Sequence, residues 1–332
     1  MTRWIITIPP DGAARSAGRE TATAFTTLLG ENRVKIFDTK QYSNAFKGIL
    51  KNPDENLSVD LVNQLLIVQC LDFEATHLLV PAFSPVTLFA ATLLKKQGIT
   101  TIHWFYEDYR VADYWKNIIE GYDYFLAIQK GEIKDACSRY NVHYEFLPTA
   151  ATGPLGAPLP QTDKIHDIAF VGFPSEYRIR FLEHCAEKGI DCVIGGKGWS
   201  SYSGPLSRCV VKGSWVDAEE HRSIICSAKI GLNLSISSPE QAPLDAHISP
   251  RVFDIMTAGA VLLTEDVPLA ADVLEKYDYY TFFSSDDAVA RIQEITKKEW
   301  SSFDRILRSN KQKVADHDTY LNRAGRIGEI TE

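Results

Sequence analysis

Arg251 and Asp254 lie close together in a stretch, residues 248–265, whose pattern predicts a helix followed by a buried strand. Ser249 can cap this helix, and Pro250 suits its first position, where the missing N–H costs nothing. The apolar residues of the helix share one face, and the two charged residues share the opposite face. The pattern therefore predicts two charges that leave the core together and can contact a polar ligand. The alternative is a solvated charge pair on a surface helix.

A second group of charged residues, Glu107, Asp108 and Arg110, follows the predicted strand Thr100–Phe105. In an open parallel sheet, ligands bind beyond the carboxyl ends of the strands, so this group is well placed for chemistry. Asp108 is the first candidate for a general base, Glu107 is the second, and His103 is an alternative base. There are also structural interpretations. The two acids could cap a helix that starts near position 111, and a lone histidine at a strand end is often a packed residue.

Strands and helices alternate along the chain, which favours mostly parallel sheets with helices on both faces. The loop after the first strand carries Asp11 and Gly12. It could hold a phosphate or an acceptor, but it lacks the full dinucleotide glycine pattern, and a plain strand-to-helix connection is the alternative. Strands are predicted at 4–8, 34–38, 78–80, 100–105, 124–128 and 144–147, and then at 168–171, 191–194, 210–211, 229–234, 261–263 and 279–283.

A segment rich in proline and glycine interrupts this alternation and has the composition of an interdomain linker. A chain of 332 residues also exceeds what one core usually supports. We therefore expect two Rossmann-like domains, residues 1–150 and 165–300, joined by a linker at 151–164 and facing each other across a cleft. Residues 301–332 are expected to form a terminal helix that could return to the first domain.

Composition narrows the class of protein. The chain carries 35 basic and 43 acidic residues, a formal charge of −8, which disfavours DNA as a partner. No secretion signal and no apolar run long enough to cross a bilayer is visible, so a soluble, cytoplasmic protein is expected. The six cysteines lack metal-type spacing and are expected to be reduced core residues.

Several motifs resemble the C-terminal half of glycosyltransferase group 1 proteins, and more narrowly their CgeB-like, or spore maturation protein, branch. They are FVG (170–172), GGKGW (195–199), KGSWVDAEE (212–220), KIGLNLS (229–235) and RVFDIMTAGAVLLTE (251–265). HWFYEDYR (103–110) and FLPTAA (146–151) resemble the N-terminal half of that branch. The resemblance implies a GT-B fold, in which the C-terminal domain holds a nucleotide-sugar donor and the N-terminal domain holds the acceptor.

The resemblance also implies roles for single residues. Asp254 matches the second acid of the family's Glu-x7-Glu element, which accepts hydrogen bonds from the donor ribose. The first acid of that element falls at Ala246, and Asp245 or His247 is a possible substitute. This departure leaves the contact to the donor sugar without its usual carboxylate.

The donor diphosphate needs cations or backbone N–H groups, because its negative charge grows as the glycosidic bond breaks. Arg251 at a helix start is the first candidate, Lys197 in its glycine loop the second, and Arg178 the third, with a solvated helix arginine as the alternative for Arg178. Gly172 and Gly195 would let the backbone approach the phosphates; the alternative is that they are simply turn residues. Ser214, Trp215 and Val216 would lie against the nucleobase; the alternative is that Trp215 is a core residue.

The resulting hypothesis is a bacterial glycosyltransferase of the hexosyltransferase type that uses a UDP-, GDP- or dTDP-sugar and a protein or glycan acceptor. Asp11, Gly12 and Arg110 are the candidates on the acceptor side. No metal is required, because N-capping explains the Asp286-Asp287 pair more simply than metal binding. The alternatives are a non-catalytic GT-B module that binds a nucleotide sugar or a partner protein, and a different two-domain enzyme such as an epimerase.

Overall fold

The computed structural model of the protein describes residues 2–50, 54–152, 164–238 and 247–332. The chain divides into two compact units. Unit 1 comprises Met1–Thr149 together with Tyr320–Glu332, and unit 2 comprises Ala150–Thr319. Each unit is built around its own six-stranded sheet, and within both sheets every strand pairing is parallel. This confirms the α/β class that the strand–helix alternation predicts.

The sheet of unit 1 has the strand order β2-β1-β3-β4-β5-β6. Its apolar core includes Phe37, Phe105, Trp115 and Phe125, all of them buried. The strands are β1 (Trp4–Ile8), β2 (Val34–Asp38), β3 (His77–Pro81), β4 (Thr100–Phe105), β5 (Tyr124–Ala127) and β6 (His143–Phe146). The helices are α1 (Gly12–Leu29), α2 (Thr39–Ile49), α3 (Glu55–Asp72), α4 (Leu88–Lys96), α5 (Glu132–Tyr140) and, from the end of the chain, α12 (Tyr320–Thr331).

The sheet of unit 2 has the order β12-β11-β10-β7-β8-β9. Its core contains Phe170, Phe181, Trp199 and Leu263. The strands are β7 (His166–Val171), β8 (Cys192–Gly195), β9 (Val210–Lys212), β10 (Ala228–Asn233), β11 (Val261–Glu265) and β12 (Tyr280–Phe282). The helices are α6 (Glu176–Glu187), α7 (Ala218–Cys226), α8 (Arg251–Ala258), α9 (Pro268–Leu274), α10 (Ser285–Thr296) and α11 (Asp304–His317).

Two helix predictions differ from the structure. The expected terminal helix is broken into α11 and α12, because Asp318 leaves the helical conformation and accepts hydrogen bonds from Lys276 and Tyr277. No α-helix begins near position 111; a turn follows Asp108, whose carbonyl accepts the N–H groups of residues 111 and 112, and only a short 3-10 helix, Tyr114–Asn117, comes after it. In both places a tertiary or turn contact satisfies groups that a helix would otherwise use.

Other expectations from the sequence are confirmed. All six cysteines are free, and five of them are buried. Asp217 and Glu220 form the predicted capping box at the start of α7. Among the helices of the described residues, none is long and apolar enough to span a bilayer.

Candidate functional site

The topology of unit 2 marks one point of its sheet for ligand binding. The chain enters the sheet at β7, adds β8 and β9 on one side, and then crosses to add β10, β11 and β12 on the other side. In doubly wound sheets the loops diverge at such a switch point, and ligands bind there beyond the carboxyl ends of the strands. The candidate site therefore lies where Gly172 follows β7 and Leu234 follows β10.

Arg178 reaches this point from the first turn of α6. Ser175 caps that helix by accepting the N–H of Arg178, which fixes the turn that carries the arginine. The guanidinium is almost fully buried, with 6% of the residue exposed. It donates to the carbonyl oxygens of Phe173 (3.0 Å), Leu234 (2.8 Å) and Ser235 (2.9 Å). Arg178 thus joins the loop after β7 to the loop after β10, and the solvated-arginine alternative is wrong.

Arg251 reaches the same point from the first residue of α8. Its Nη1 atom donates to Asn233 Oδ1 at 2.9 Å, and Asn233 is oriented by donating in turn to Thr264 Oγ1. The guanidinium carbons of Arg251 and Arg178 lie 5.4 Å and 5.3 Å from the centroid of the Phe170 ring. Two arginines that are distant in the sequence therefore share one aromatic side chain at the end of β7.

The hydrogen-bond partners of these two arginines are uncharged. Neither guanidinium forms an ion pair with any residue in the described part of the chain, and both bind neutral oxygens. Burial lowers the pKa of Arg178 to about 9, and the charge of Arg251 contributes to this shift. Burial also lowers the pKa of Arg251 to about 10. Both groups remain cationic at neutral pH, so this point of the sheet is suited to an anion.

Glu265 is a further acid of this site, one that the sequence motifs do not predict. It is buried at the end of β11, where its Oε2 atom accepts the N–H (2.8 Å) and the hydroxyl (2.6 Å) of Ser235. Its charge raises the pKa of both arginines, which opposes the effect of burial. A signal was present in the sequence, since Asn233, Ser235 and Glu265 are polar residues at the ends of two otherwise apolar strands.

The predicted donor-site glycines permit close packing of backbone. A Cβ atom on Gly172 would lie 2.8 Å from the Phe170 ring and 3.2 Å from Nη2 of Arg251. A Cβ atom on Gly195 would lie 2.6 Å from the side chain of Ile224. Gly172 therefore allows the guanidinium of Arg251 to reach the backbone after β7, whereas Gly195 allows α7 to pack against β8.

The loop after β9 presents an exposed aromatic ring. Trp215 is 46% exposed, so the alternative that it is a core residue is wrong. Ser214 beside it is also exposed, and Val216 lies near Gly195. Lys197 is exposed in the neighbouring loop. The exposed ring of Trp215 could therefore contact a nucleobase. Lys197, by contrast, is exposed and does not join Arg178 and Arg251.

Asp254 is turned toward the chain segment that enters unit 2. Its Oδ1 atom accepts the N–H of Thr152 at 2.6 Å, and the hydroxyl of Thr152 lies 3.1 Å from both carboxylate oxygens. Asp254 also lines a small pocket with His221 and Arg222. His247 is half-buried, while Asp245 and Ala246, the positions that concern the missing first acid, lie outside the described residues.

In unit 1, the neighbouring acids Glu107 and Asp108 have different surroundings. Asp108 is buried and accepts hydrogen bonds from the guanidinium of Arg110 at 2.5, 2.9 and 3.1 Å, from the N–H of Arg110 and from the side chain of Gln129. Glu107 is half-exposed, and its charge raises the pKa of nearby Tyr114, which burial also raises. The acid that the sequence placed first is thus held in a structural ion pair, and Glu107 is the more accessible of the two.

His103 is completely buried among aromatic side chains of unit 1. Burial lowers its pKa to about 3, so the imidazole is neutral at physiological pH. This surrounding favours the packed-residue interpretation over a role as base.

The loop after β1 is held by charge pairs. Arg15 binds Asp38 with two hydrogen bonds, at 2.9 Å and 2.6 Å, and donates to the carbonyl of Pro9. Asp11 pairs with Lys40 at 2.5 Å on the surface. Gly12 has a positive φ of 70° at the start of α1, and the space where a Cβ atom would stand is open. These contacts agree with a strand-to-helix connection.

The comparisons with known proteins agree with this architecture. Residues 178–329 match the family model described as Glycosyl transferase-like. No curated protein matches the sequence. A glycosyltransferase from Rickettsia africae is similar in structure, with a TM-score of 0.63 and 10% identity over 99% of this chain and 98% of that one.

Two further structures show the same likeness. HepE from Anabaena, in complex with UDP and glucose, has a TM-score of 0.61 at 12% identity and covers 99% of both chains. The α,α-trehalose 6-phosphate synthase from Burkholderia multivorans has a TM-score of 0.58 at 10% identity, covering 99% of this chain and 98% of that chain.

The chain has a GT-B fold. Its two parallel α/β units are the units of that fold, and the buried arginine pair lies in the part of the GT-B chain that the family model covers. Within the described residues of this GT-B protein, no group of three or more His, Cys, Asp and Glu side chains is placed to hold a metal ion. Asp286 pairs with His184, and Asp287 accepts the N–H of Phe283.

Proposed function

We propose that the protein is a hexosyltransferase that moves a sugar from a nucleoside diphosphate donor to a hydroxyl group of a protein or glycan acceptor. The observation that carries this proposal is the arginine pair of unit 2, in which Arg178 is buried, Arg251 is half-buried, and both guanidinium groups bind only neutral oxygens among the described residues. Although the charge of Glu265 acts on both cations, neither has an ion-pair partner in the described part of the chain. A ligand with at least two negative charges would stabilise such a pair, and a diphosphate has them.

The diphosphate is also the leaving group of the reaction. The bond from the sugar's anomeric carbon to the diphosphate oxygen breaks, and that carbon bonds to the acceptor oxygen. Negative charge on the diphosphate grows during this step, and the arginine pair would stabilise it more strongly in the transition state than in the ground state. Because backbone carbonyls already hold the guanidinium of Arg178 and the side chain of Asn233 already holds that of Arg251, little reorganisation is needed.

For the remaining donor contacts, we propose that Trp215 stacks on the nucleobase, as its exposed ring allows. Asp254 is proposed to bind the ribose, in exchange for its hydrogen bonds to Thr152. The UDP-bound structure of the similar HepE supports a nucleotide-sugar donor for this chain. No metal is included in the proposal, since the two arginines supply the charge that the leaving group needs.

We further propose Glu107 as the base that accepts the proton of the acceptor hydroxyl. It replaces Asp108 as the first candidate, because the carboxylate oxygens of Asp108 are already occupied by hydrogen bonds from Arg110 and Gln129. The CgeB-like branch, a bacterial glycosylation role and a cytoplasmic location remain part of this proposal, on the strength of the sequence motifs.

The test is a thermal-shift series with UDP, GDP and dTDP, followed by an assay for hydrolysis and transfer with the matching sugar nucleotides. At least one nucleotide is expected to raise the Tm by several degrees, and its sugar form is expected to be turned over. Failure of all three nucleotides to stabilise the protein would contradict the proposal. Stabilisation without any turnover would favour the non-catalytic binding module instead.

A further inference from the structure

A strained aromatic residue stands at the switch point of the unit 1 sheet. In that sheet the chain enters at β1, adds β2 on one side and then crosses to β3 on the other, so β1 and β3 flank the switch point. Phe83 follows β3 there, with a positive φ of 63°. A bulky residue in this left-handed region is an outlier that persists only when its surroundings hold it.

The surroundings of Phe83 hold it firmly. Its N–H donates to the hydroxyl of Tyr114 at 2.9 Å. The next residue, Ser84, is bound by the hydroxyl of buried Thr7 at 2.9 Å. Asn63 holds the backbone of the loop further on, because its side chain donates to the carbonyl of Pro85 and accepts the N–H of Thr87. The backbone is therefore pinned on both sides of the strained residue.

The result of this pinning is an aromatic ring that faces outward. Phe83 is 43% exposed, although it lies next to a core that could have buried it. Its ring is supported by that of Tyr114, at a centroid distance of 5.4 Å. Glu107, after the adjacent strand β4, is close enough to Tyr114 for its charge to raise the pKa of that phenol. Because β3 and β4 are neighbouring parallel strands, the aromatic ring that follows β3 and the carboxylate that follows β4 lie at the same carboxyl edge of this sheet.

This pairing is suited to one class of ligand. The apolar face of a pyranose ring stacks on an aromatic side chain, while its hydroxyl groups donate to a carboxylate. A serine or threonine of a polypeptide acceptor offers the hydroxyl but no ring face. We infer that Phe83 is a stacking residue for the acceptor and that the acceptor is a saccharide whose reacting hydroxyl is presented to Glu107. This inference rests on the proposed glycosyl transfer.

The experiment measures binding of methyl α- and β-glycosides of glucose, galactose and mannose to the full chain, with UDP present, by saturation-transfer NMR. At least one glycoside is expected to bind saturably in the millimolar range. Phe83→Ala is expected to weaken this binding about tenfold, whereas Phe83→Trp retains it. Phe89→Ala is the matched control, because Phe89 is also an exposed phenylalanine of unit 1, at 71%, but lies in α4.

A second variant guards against misfolding. Phe83→Gly removes the ring and also relieves the left-handed backbone, so its Tm is expected to equal or exceed that of the wild type while sugar binding is lost. Unchanged sugar binding in both Phe83→Ala and Phe83→Gly would overturn the inference. So would the absence of binding by any glycoside, and so would transfer to a serine-containing peptide that is indifferent to Phe83.

These outcomes can be told apart from failure of the proposed function. Stabilisation by UDP depends on unit 2, and it is expected to be the same in the Phe83 variants and the wild type. If UDP stabilises the protein and no glycoside binds, only the saccharide inference fails. If no nucleotide stabilises it, the proposed glycosyl transfer fails, whatever the result with glycosides.

Discussion

The carboxyl edges of the two sheets treat their charges in opposite ways. In unit 1, Arg110 pairs with Asp108 and Arg15 pairs with Asp38, so each guanidinium has its own carboxylate. In unit 2, Arg178 and Arg251 have only neutral partners among the described residues. Pairing of the first kind stabilises a loop, whereas in the second arrangement backbone carbonyls and the Asn233 side chain hold the guanidinium groups without neutralising them.

This comparison separates charge that maintains structure from charge that can serve chemistry. A sequence motif cannot make that separation, because both edges carry arginine near acidic residues. Substitutions at the two edges test whether the paired charges of unit 1 maintain structure and whether the arginines of unit 2 bind a ligand.

The largest effect is expected from removing one cation of the unit 2 pair. Arg251→Met keeps the volume of the side chain and removes its charge, so the affinity for UDP should fall by a factor of about 10² to 10³, or roughly 3–4 kcal/mol. The free energy of unfolding without ligand should change little, because the relieved repulsion with Arg178 is offset by the lost hydrogen bond to Asn233. Titration calorimetry and urea unfolding measure the two quantities.

Arg180→Met is the control for this variant. Arg180 lies in α6, the same helix as Arg178, but it is exposed and pairs with Glu176 on the surface. UDP affinity should be unaffected. Equal losses in Arg251→Met and Arg180→Met would mean that general surface charge, rather than the buried pair, attracts the nucleotide.

The next variants separate the two neighbouring acids of unit 1. Glu107→Gln should reduce turnover by about 10²-fold while leaving stability nearly unchanged. Asp108→Asn should instead lower the free energy of unfolding by about 1–3 kcal/mol, because Arg110 loses its charged partner. Steady-state kinetics and urea unfolding of both variants check this. If Asp108→Asn were instead as stable as the wild type but inactive, Asp108 rather than Glu107 would be the base.

The buried histidine of unit 1 should appear as a loss of stability in acid. The pKa of His103 is lowered to about 3 in the folded state by burial, against about 6.5 when unfolded. Between these pH values the unfolded chain binds a proton that the folded chain does not, so the free energy of unfolding falls as the pH falls. His103→Phe should reduce the loss between pH 7 and 4.5 by about 2–3 kcal/mol.

Urea unfolding at several pH values measures this difference. Above pH 7 the two proteins should differ by a constant amount, which serves as the internal control. Parallel curves from pH 7 down to 4.5 would show that His103 is accessible to protons in the folded state, and its role as a base would then regain support.

The smallest effect is expected at the exposed ring of unit 2. Trp215→Ala should weaken UDP binding by about tenfold, as expected for a lost stacking contact, and should leave the Tm without ligand unchanged. Binding of inorganic pyrophosphate, which has no base, should not change. A loss of pyrophosphate affinity would place Trp215 against the phosphates or in a structural role.

Much of the architecture could be predicted from the sequence, because it depends on local patterns. Strands such as Val261–Glu265 are short apolar runs that end in polar residues, and their alternation with amphipathic helices fixes a parallel arrangement. The capping box at Asp217 is likewise a local signal. The local pattern predicted one continuous terminal helix, but the chain leaves the helical conformation at Asp318, whose side chain binds the distant Tyr277.

The candidate site divides along the same line. Residue types and spacing were sufficient to select Arg251 and Arg178 as cations near helix starts. They could not show that both arginines contact Phe170 or that the charge of Glu265 acts on both. Nor could they show that Asp108 is already bound by Arg110. Phe83 gave no sequence signal at all, because its significance is a backbone conformation imposed by Tyr114, Thr7 and Asn63.

The sequence by itself therefore determined the parallel α/β architecture and the kinds of side chain at the strand ends, since hydrophobic periodicity and helix capping act between near neighbours. Only the tertiary structure decided which of those charges are compensated. Compensation depends on distances between residues far apart in the chain, and a difference of a few ångströms separates an ion pair from a buried cation that requires a ligand.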